Sequence, residues 1–387
     1  MKKQLITLLA LTMALCAVLC SCQFLSVDFN GQVNVGTVFP TQDTTYSKGA
    51  TVTIDGTTEY YEDIATAWIA ANTATDKAVT VKLYQDWVAV GGKFYNIKTN
   101  GFAAFGYPVL EPRMSQTEAG ALPFVLDLNC HTIDATDGGD AINFRCLALS
   151  KGEHDDDLFY GDVTIQNGTL IGGHASNGAN IDIVTQRNTV TLKNLVIKNG
   201  TATNRGGGVG LFGKHTVLYV IGCTIENNTA GFESGALCSY YDATVYIQDT
   251  VMRGNSAEYY GGAIRIFNKT NLHFSGNVVI KDNTVSGTAD NLYVENSCGL
   301  LFNDIDSLEA SSYIGITYSD GEGALTEKVA KTEHTGILKV FVADKANYKV
   351  AFIDETTPVE IPANGCDPAR IDNVPTGYGW YKVVPAN

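Results

Sequence analysis

The sequence predicts an all-β protein: a right-handed parallel β-helix of three-strand coils, each about 27 residues long, with a short N-terminal amphipathic capping helix. Two independent markers keep that period. An apolar anchor recurs at Ile171, Ile197, Ile225, Met252 and Ile280, and a second at Val209, Leu237, Ile264 and Leu292. The third observation is what lies between the markers. Each period holds three short runs of alternating or β-branched apolar residues separated by Gly/Asn turns, and none holds apolar residues at helical spacing. A hairpin meander would reverse the chain every ~8 to 12 residues without returning like residues to register. A coil does return them, rising roughly 4.8 Å per turn so that like side chains stack.

The elements follow in chain order. Residues 1–21 read as a lipoprotein signal peptide, with Lys2 and Lys3 ahead of an apolar run from Leu5 to Val18 that is short for a membrane span. Leu19-Cys20-Ser21-Cys22 resembles the lipobox of bacterial lipoproteins. The resemblance implies acylation of Cys22, and Gln23 after it, in place of aspartate, favours the outer membrane. Several acyl chains on one residue hold firmly where a single chain would not. Residues 22–45, rich in Thr, Gln, Asn and Gly, read as a lipidated tether.

Residues 46–122 are expected to hold the N-terminal cap and the first irregular coils. Glu62-Asp63 open a run with Ile64, Ala67, Trp68 and Ala71 on one face, between strand-like stretches Ala50–Asp55 and Val79–Tyr84. The regular β-helix is expected over 123–297, beginning with a rung from Phe124 to Ile133. A polar insert around Lys151–Asp162 accounts for the surplus between Ile133 and Ile171. Recurrent Asn199, Asn228, Asn255 and Asn283 suit an asparagine ladder along one turn, where Asn tolerates left-handed backbone. Residues 298–387 are expected to form degenerate coils or a C-terminal cap, with strands at Tyr313–Tyr318, Ile337–Val342 and Tyr348–Ile353. The final residues, Val383 to Asn387, do not read as a membrane-barrel strand.

Gly261-Gly262-Ala263-Ile264 and Phe274-Ser275-Gly276-Asn277 resemble the paired GGA(I/L/V) and FxxN motifs of the polymorphic outer-membrane protein repeats of chlamydiae and spirochaetes. Gly206-Gly207-Gly208-Val209 and Ser234-Gly235-Ala236-Leu237 are looser copies, and the resemblance covers about residues 165–295. It implies a β-helical passenger on the cell surface with adhesin-like roles. The chain departs from that family in its lipobox and in lacking a recognisable autotransporter barrel.

Charge and motifs narrow the function. The net charge is −15 with no basic run, which argues against nucleic acid and anionic lipid headgroups as partners. Gly208-Val-Gly-Leu-Phe-Gly213-Lys214 matches a phosphate-loop spacing, but a strand rather than a helix follows and His215 stands where Ser or Thr is required. Asp134, Asp137 and Asp140, and the insert's His154-Asp155-Asp156-Asp157, are the acidic clusters that could offer oxygen ligands to calcium; solvated turns explain them equally. Asp182 and Asp249 sit on strands without aligned acidic neighbours, so no carboxylate pair for glycoside hydrolysis is evident. His131, His174, His215 and His273 occupy unrelated coil positions. Cys130, Cys146, Cys223, Cys238, Cys298 and Cys366 are even in number but lack CxxC spacing, leaving disulfides or core thiols open. Tyr240-Tyr241 and Tyr259-Tyr260, with Phe232 nearby, occupy turns of successive coils. Such aromatics can stack on sugars or anchor a protein partner.

The expectation is a non-catalytic, surface-exposed binding or adhesion protein without cofactor or catalytic metal, held in the outer membrane by lipid on Cys22. Its partner would be a host or envelope protein or a glycan. A β-helical carbohydrate-active enzyme and a periplasm-facing scaffold are the alternatives.

Overall fold

The structure, a computed structural model, describes residues 24–27, 33–74, 77–90, 93–94, 123–137, 144–149, 162–184, 188–266, 271–295, 307–319, 321–325, 329–330, 336–354 and 378–386. The leader, Cys22, Asp140, residues 150–161, Cys298 and Cys366 lie outside them.

Parallel coils stack into a β-solenoid of about five regular turns. Its first ladder runs through Val79–Leu83 (β5, following β3 at Ala50–Ile54 and β4 at Thr57–Tyr61), Phe124–Asp127, 162–166, 189–193, Val217–Ile221, Thr244–Gln248 and Asn271–Ser275. The second ladder stacks Ile133, Leu170, Ile197, Ile225, Met252, Ile280 and Ile314 in direct register. Leu170, one residue before the expected Ile171, is thus the true anchor of its coil, because Ile171 pairs with the outward Lys198. The third expected run also forms a ladder, extending from Leu147 through Ile181, Val209, Leu237, Ile264 and Leu292 to Ile316. The stacked apolar side chains are sealed from solvent, and each interior Leu, Ile or Val removed from water contributes about 1.5–3 kcal/mol.

The coil has one more strand than its apolar pattern announces. Within the stretch expected to be turn, His174–Asn177, Thr201–Arg205, Thr229–Ala230, Ser256–Ala257 and Thr284–Val285 pair in parallel. Their inward residues are Ala175, Ala202, Ala230 and Ala257, a small-residue core of their own; in chain order this is the third ladder and the Leu147–Ile316 ladder the fourth.

The asparagines behave differently from expectation. Left-handed backbone falls on Asn199, Asn227, Gly254 and Asp282, whereas Asn228, Asn255 and Asn283 sit one residue later with buried side chains. Asn180 Nδ2 donates to Asn228 Oδ1 (3.0 Å), Asn228 to Asn255 (3.0 Å), Asn255 to Asn283 (2.9 Å), Asn283 to Asn291 (2.8 Å) and Asn291 to Asp344 Oδ1 (2.6 Å). Every amide points the same way, so their dipoles add, and the terminal N–H of the row, on buried Asn291, meets a carboxylate.

The family-like motif has a steric cause. Gly261 has φ of +60°, and a Cβ on Gly262 would stand 2.4 Å from the backbone nitrogen of Thr284 in the next coil. Ala263 and Ile264 follow into the core, and Phe274 fills it one ladder on.

Both ends are covered. Helix α1 (Ile64–Thr73) starts at Asp63, whose side chain accepts from Thr66 N. It buries Ile64, Ala67, Trp68 and Ala71, and Trp68 meets Trp87 and Phe124 at ring distances of 5.9 and 5.8 Å. β3 pairs antiparallel with β4 and β5, ending the sheet. At the other end Tyr313–Tyr318 joins the second ladder by its first half and the fourth by its second, so it crosses the coil and shortens it. Ile337–Val340 is a helical turn, α2, rather than strand; Phe341–Ala343 continues the ladder. An antiparallel sheet centred on Tyr378–Pro385 completes the cap.

Candidate binding flank

The turn from the third to the fourth ladder carries, in parallel register, Arg205, Glu233 and Tyr260. Beside it, the outward position of the fourth ladder carries Asp182, Gly210, Cys238, Arg265 and Tyr293. These two rows meet. Glu233 is 0% exposed, and its carboxylate accepts from Arg205 Nε (2.7 Å), from the Tyr240 hydroxyl and from Arg265, which also pairs with Glu295. Arg265 lies over the Tyr260 ring (4.4 Å), Arg205 over Tyr240 (5.1 Å) and Phe232 (5.3 Å). Burial pushes the Tyr240 and Tyr293 hydroxyls up to about 12, so both stay protonated donors at neutral pH.

Both expected tyrosine pairs belong to this cluster. Tyr240 packs on Phe212 (5.9 Å) and Tyr241 (5.8 Å), while Phe232 meets Tyr259 (5.4 Å) and Tyr260 (6.0 Å), and Tyr260 meets Tyr293 (5.0 Å). The members divide by role. Tyr240 and Tyr260 are half-buried and hold the cluster; Tyr241 and Tyr259 are 48% and 53% exposed and present their rings outward. Sequence reading found the tyrosines and missed the floor beneath them. Arg205, Glu233 and Tyr260 recur at the coil period, but the turn lengths are irregular enough to hide that register until the strands are paired.

The floor is chemically closed. Two guanidinium groups face two carboxylates, and Glu233 has both oxygens engaged, so it has no position from which to pass a proton to a substrate oxygen. Asp182 is held by Arg145 Nη2 (3.1 Å); burial still pushes it up to about 6, with Arg145 drawing it back down. Its ladder neighbours are Ala148 and Gly210, which supplies no second carboxylate.

The remaining expected sites are dispersed. Asp134 Oδ1 accepts from Thr136 N (2.8 Å), a local turn bond, and no cluster that could hold a metal is found among the described residues. Cys146 and Cys223 are buried core thiols, Cys238 is buried beneath the flank and Cys130 is partly exposed, all unpaired. His273 stacks on Tyr246 (4.5 Å), which stacks on Tyr219 (4.8 Å). Val209–Leu211 in the glycine-rich stretch is ladder strand. No described helix is long and apolar enough to cross a membrane.

Fold and flank together define a parallel β-helical protein with an aromatic side face. Comparison with protein-family models, curated proteins and solved structures finds no match.

Proposed function

We propose that this chain is an exported, lipid-anchored surface protein that binds or adheres through its aromatic flank and performs no catalysis. The observation that carries the reading is the pair of outward rings, Tyr241 and Tyr259, fixed on a floor whose charges cancel. Rigid aromatic surface of this kind gives contact area at small entropic cost. A floor without surplus charge suits an uncharged partner surface, a glycan or the apolar centre of a protein epitope. The lipobox-like Leu19–Cys22 supports anchoring at Cys22 in the outer membrane. The Gly261–Ile264 and Phe274–Asn277 motifs support kinship with polymorphic outer-membrane protein repeats and a role at the cell surface.

Protease treatment of intact cells, with a periplasmic protein as control, tests the location. The expected result is loss of this protein while the control survives; protection until lysis overturns the surface reading. Binding of the purified protein to host extracellular proteins and glycan arrays tests the flank. A Tyr241→Ala/Tyr259→Ala double variant is expected to lose about tenfold or more in affinity. Unchanged binding would assign the contact elsewhere.

A further inference from the structure

The stretch before the cap does not approach it from the end of the solenoid. It runs as a strap along the corner between the first and second ladders, against the direction of coil stacking. Thr37 N donates to Thr224 Oγ1 (3.1 Å) and Thr37 Oγ1 donates to the Leu195 carbonyl (3.3 Å). Two rungs below Leu195 and three below Thr224, the Pro40 carbonyl accepts from Cys130 Sγ (3.2 Å), Gln42 Nε2 meets His131 Nε2 (3.0 Å), and Asp43 exchanges two 2.7 Å bonds with the Asn129 side chain. The Asp43 carboxylate takes the Lys82 ammonium (3.2 Å) and the Tyr84 hydroxyl (3.0 Å). The chain therefore reaches the body beside its middle coils.

A hairpin precedes the strap. β1 (Phe24–Val27) pairs antiparallel with β2 (Val33–Gly36), with Phe24 opposite Gly36. Gly36 is one residue, about 3.8 Å, from Thr37. Paired strands bring Phe24 within about 5.5 Å of Gly36, and position 22 is at most about 7 Å further. The anchoring position is thus bounded to about 16 Å from Thr37. The second ladder, from Trp87–Val90 to Phe341–Ala343, holds nine stacked segments, a length of about 38 Å.

We infer that the anchored solenoid lies on its side, with the strap corner against the bilayer and the aromatic flank turned away from it. The inference rests on acylation of Cys22, which the proposed function includes. Two features of the coil carry the rest. An anchor so close to the middle of the stack cannot hold either end of a rod of that length at the membrane. Around the coil, the strap corner and the flank are separated by the second and third ladders in one direction and the fourth and first in the other, which sets them on opposite sides. Where the strap crosses it, the corner carries Asn129, Cys130, Asn167, Asn194 and Gly222, and the flanking coils place Asp86 and Asp249 on the same corner.

The test is neutron reflectometry on full-length protein purified from the outer membrane of a Gram-negative host and reconstituted in a supported phosphatidylcholine bilayer. Mass spectrometry of the N-terminal peptide comes first. An unmodified Cys22 sinks the anchor reading and the inference with it. With Cys22 acylated, the expected result is a protein layer thinner than about 38 Å starting directly at the headgroups. A layer of that height or more means the rod stands on end, which overturns the inference and leaves the anchor intact. A Gly/Ser spacer of about twenty residues between Cys22 and Gln23 should move the layer outward by roughly 20 Å. A spacer that leaves the layer in place would show that the short reach does not set the orientation.

Discussion

At the scale of single residues, the fold depends on polar groups placed where an apolar core would ordinarily exclude them. Asn255 is the centre of the buried amide row. Its Oδ1 accepts from Asn228 N and Nδ2 (both 3.0 Å), and its Nδ2 donates to the Ile225 carbonyl (2.9 Å) and to Asn283 Oδ1 (2.9 Å). Replacement by Ala strands groups on two neighbouring coils, each costing about 1–3 kcal/mol when buried without a partner. The expected loss for Asn255→Ala is roughly 3–5 kcal/mol by chemical denaturation. Asn199 looks equivalent in sequence but is exposed and serves only its left-handed backbone, so Asn199→Gly should be neutral within about 0.5 kcal/mol. Equal losses at the two positions would refute the division of roles.

At the scale of elements, the C-terminal cap is tied to the solenoid through carboxylates. Asp344 accepts from Asn291 N (2.7 Å) and Nδ2 and from Thr317 Oγ1 (3.1 Å), ending the amide row. Nearby, burial and then the charge of Asp344 push Asp290 up to about 7, while Lys345 and the Gly261 N–H draw it down. Burial pushes Asp344 up as well. Folded-state values above the unfolded one mean that the native protein holds more protons across this interval. The stability from these groups is therefore fullest below about pH 4 and is lost as pH rises towards 7. Thermal melting should fall between pH 5 and 8, and Asp290→Asn should gain roughly 1–3 kcal/mol at pH 8. Some slope remains in the variant, because Asp182 shifts in the same sense. An unchanged slope would remove Asp290 from the account. None of this was legible in the sequence, since the degenerate C-terminal coils give no register that would bring Asp290 to Asp344. What was legible by period was the three ladders and the capping helix at Ile64–Thr73; the tyrosine turns were legible as paired aromatics. The small-residue ladder at Ala175, Ala202, Ala230 and Ala257 escaped because short strands built on Ala with Thr, Ser or His beside it read as turn. Glu233 escaped because a charged residue in a turn reads as solvated until a neighbouring coil closes over it.

At the scale of the molecule, stacking in register makes each coil exchangeable for its neighbour. Thr229 pairs with Ser256, Ile225 with Met252 and Leu218 with Val245. Removing residues 230–256 joins Thr229 to Ala257 and brings Leu218 over Leu272, Ile225 over Ile280 and Asn228 over Asn283, each like against like. In a solenoid whose coils contact only adjacent coils, stability is close to a sum of coil and interface terms. The shortened chain should therefore fold, keep its far-ultraviolet β spectrum and melt within about 10 °C of the parent. A deletion of 230–251 is the control, because it ends out of register, breaking the turn that follows Thr229 and turning core side chains outward; it should give no cooperative transition. The in-register deletion also removes Glu233, Tyr240 and Tyr241, so the folded product is expected to lose the flank's binding while Arg265 keeps Glu295. An in-register product that does not fold would mean that the Arg205–Glu233–Arg265 network, rather than coil stacking, holds the middle of the solenoid together. Buried ion pairs rarely supply so much net stability against their desolvation, which is why the folded outcome is expected.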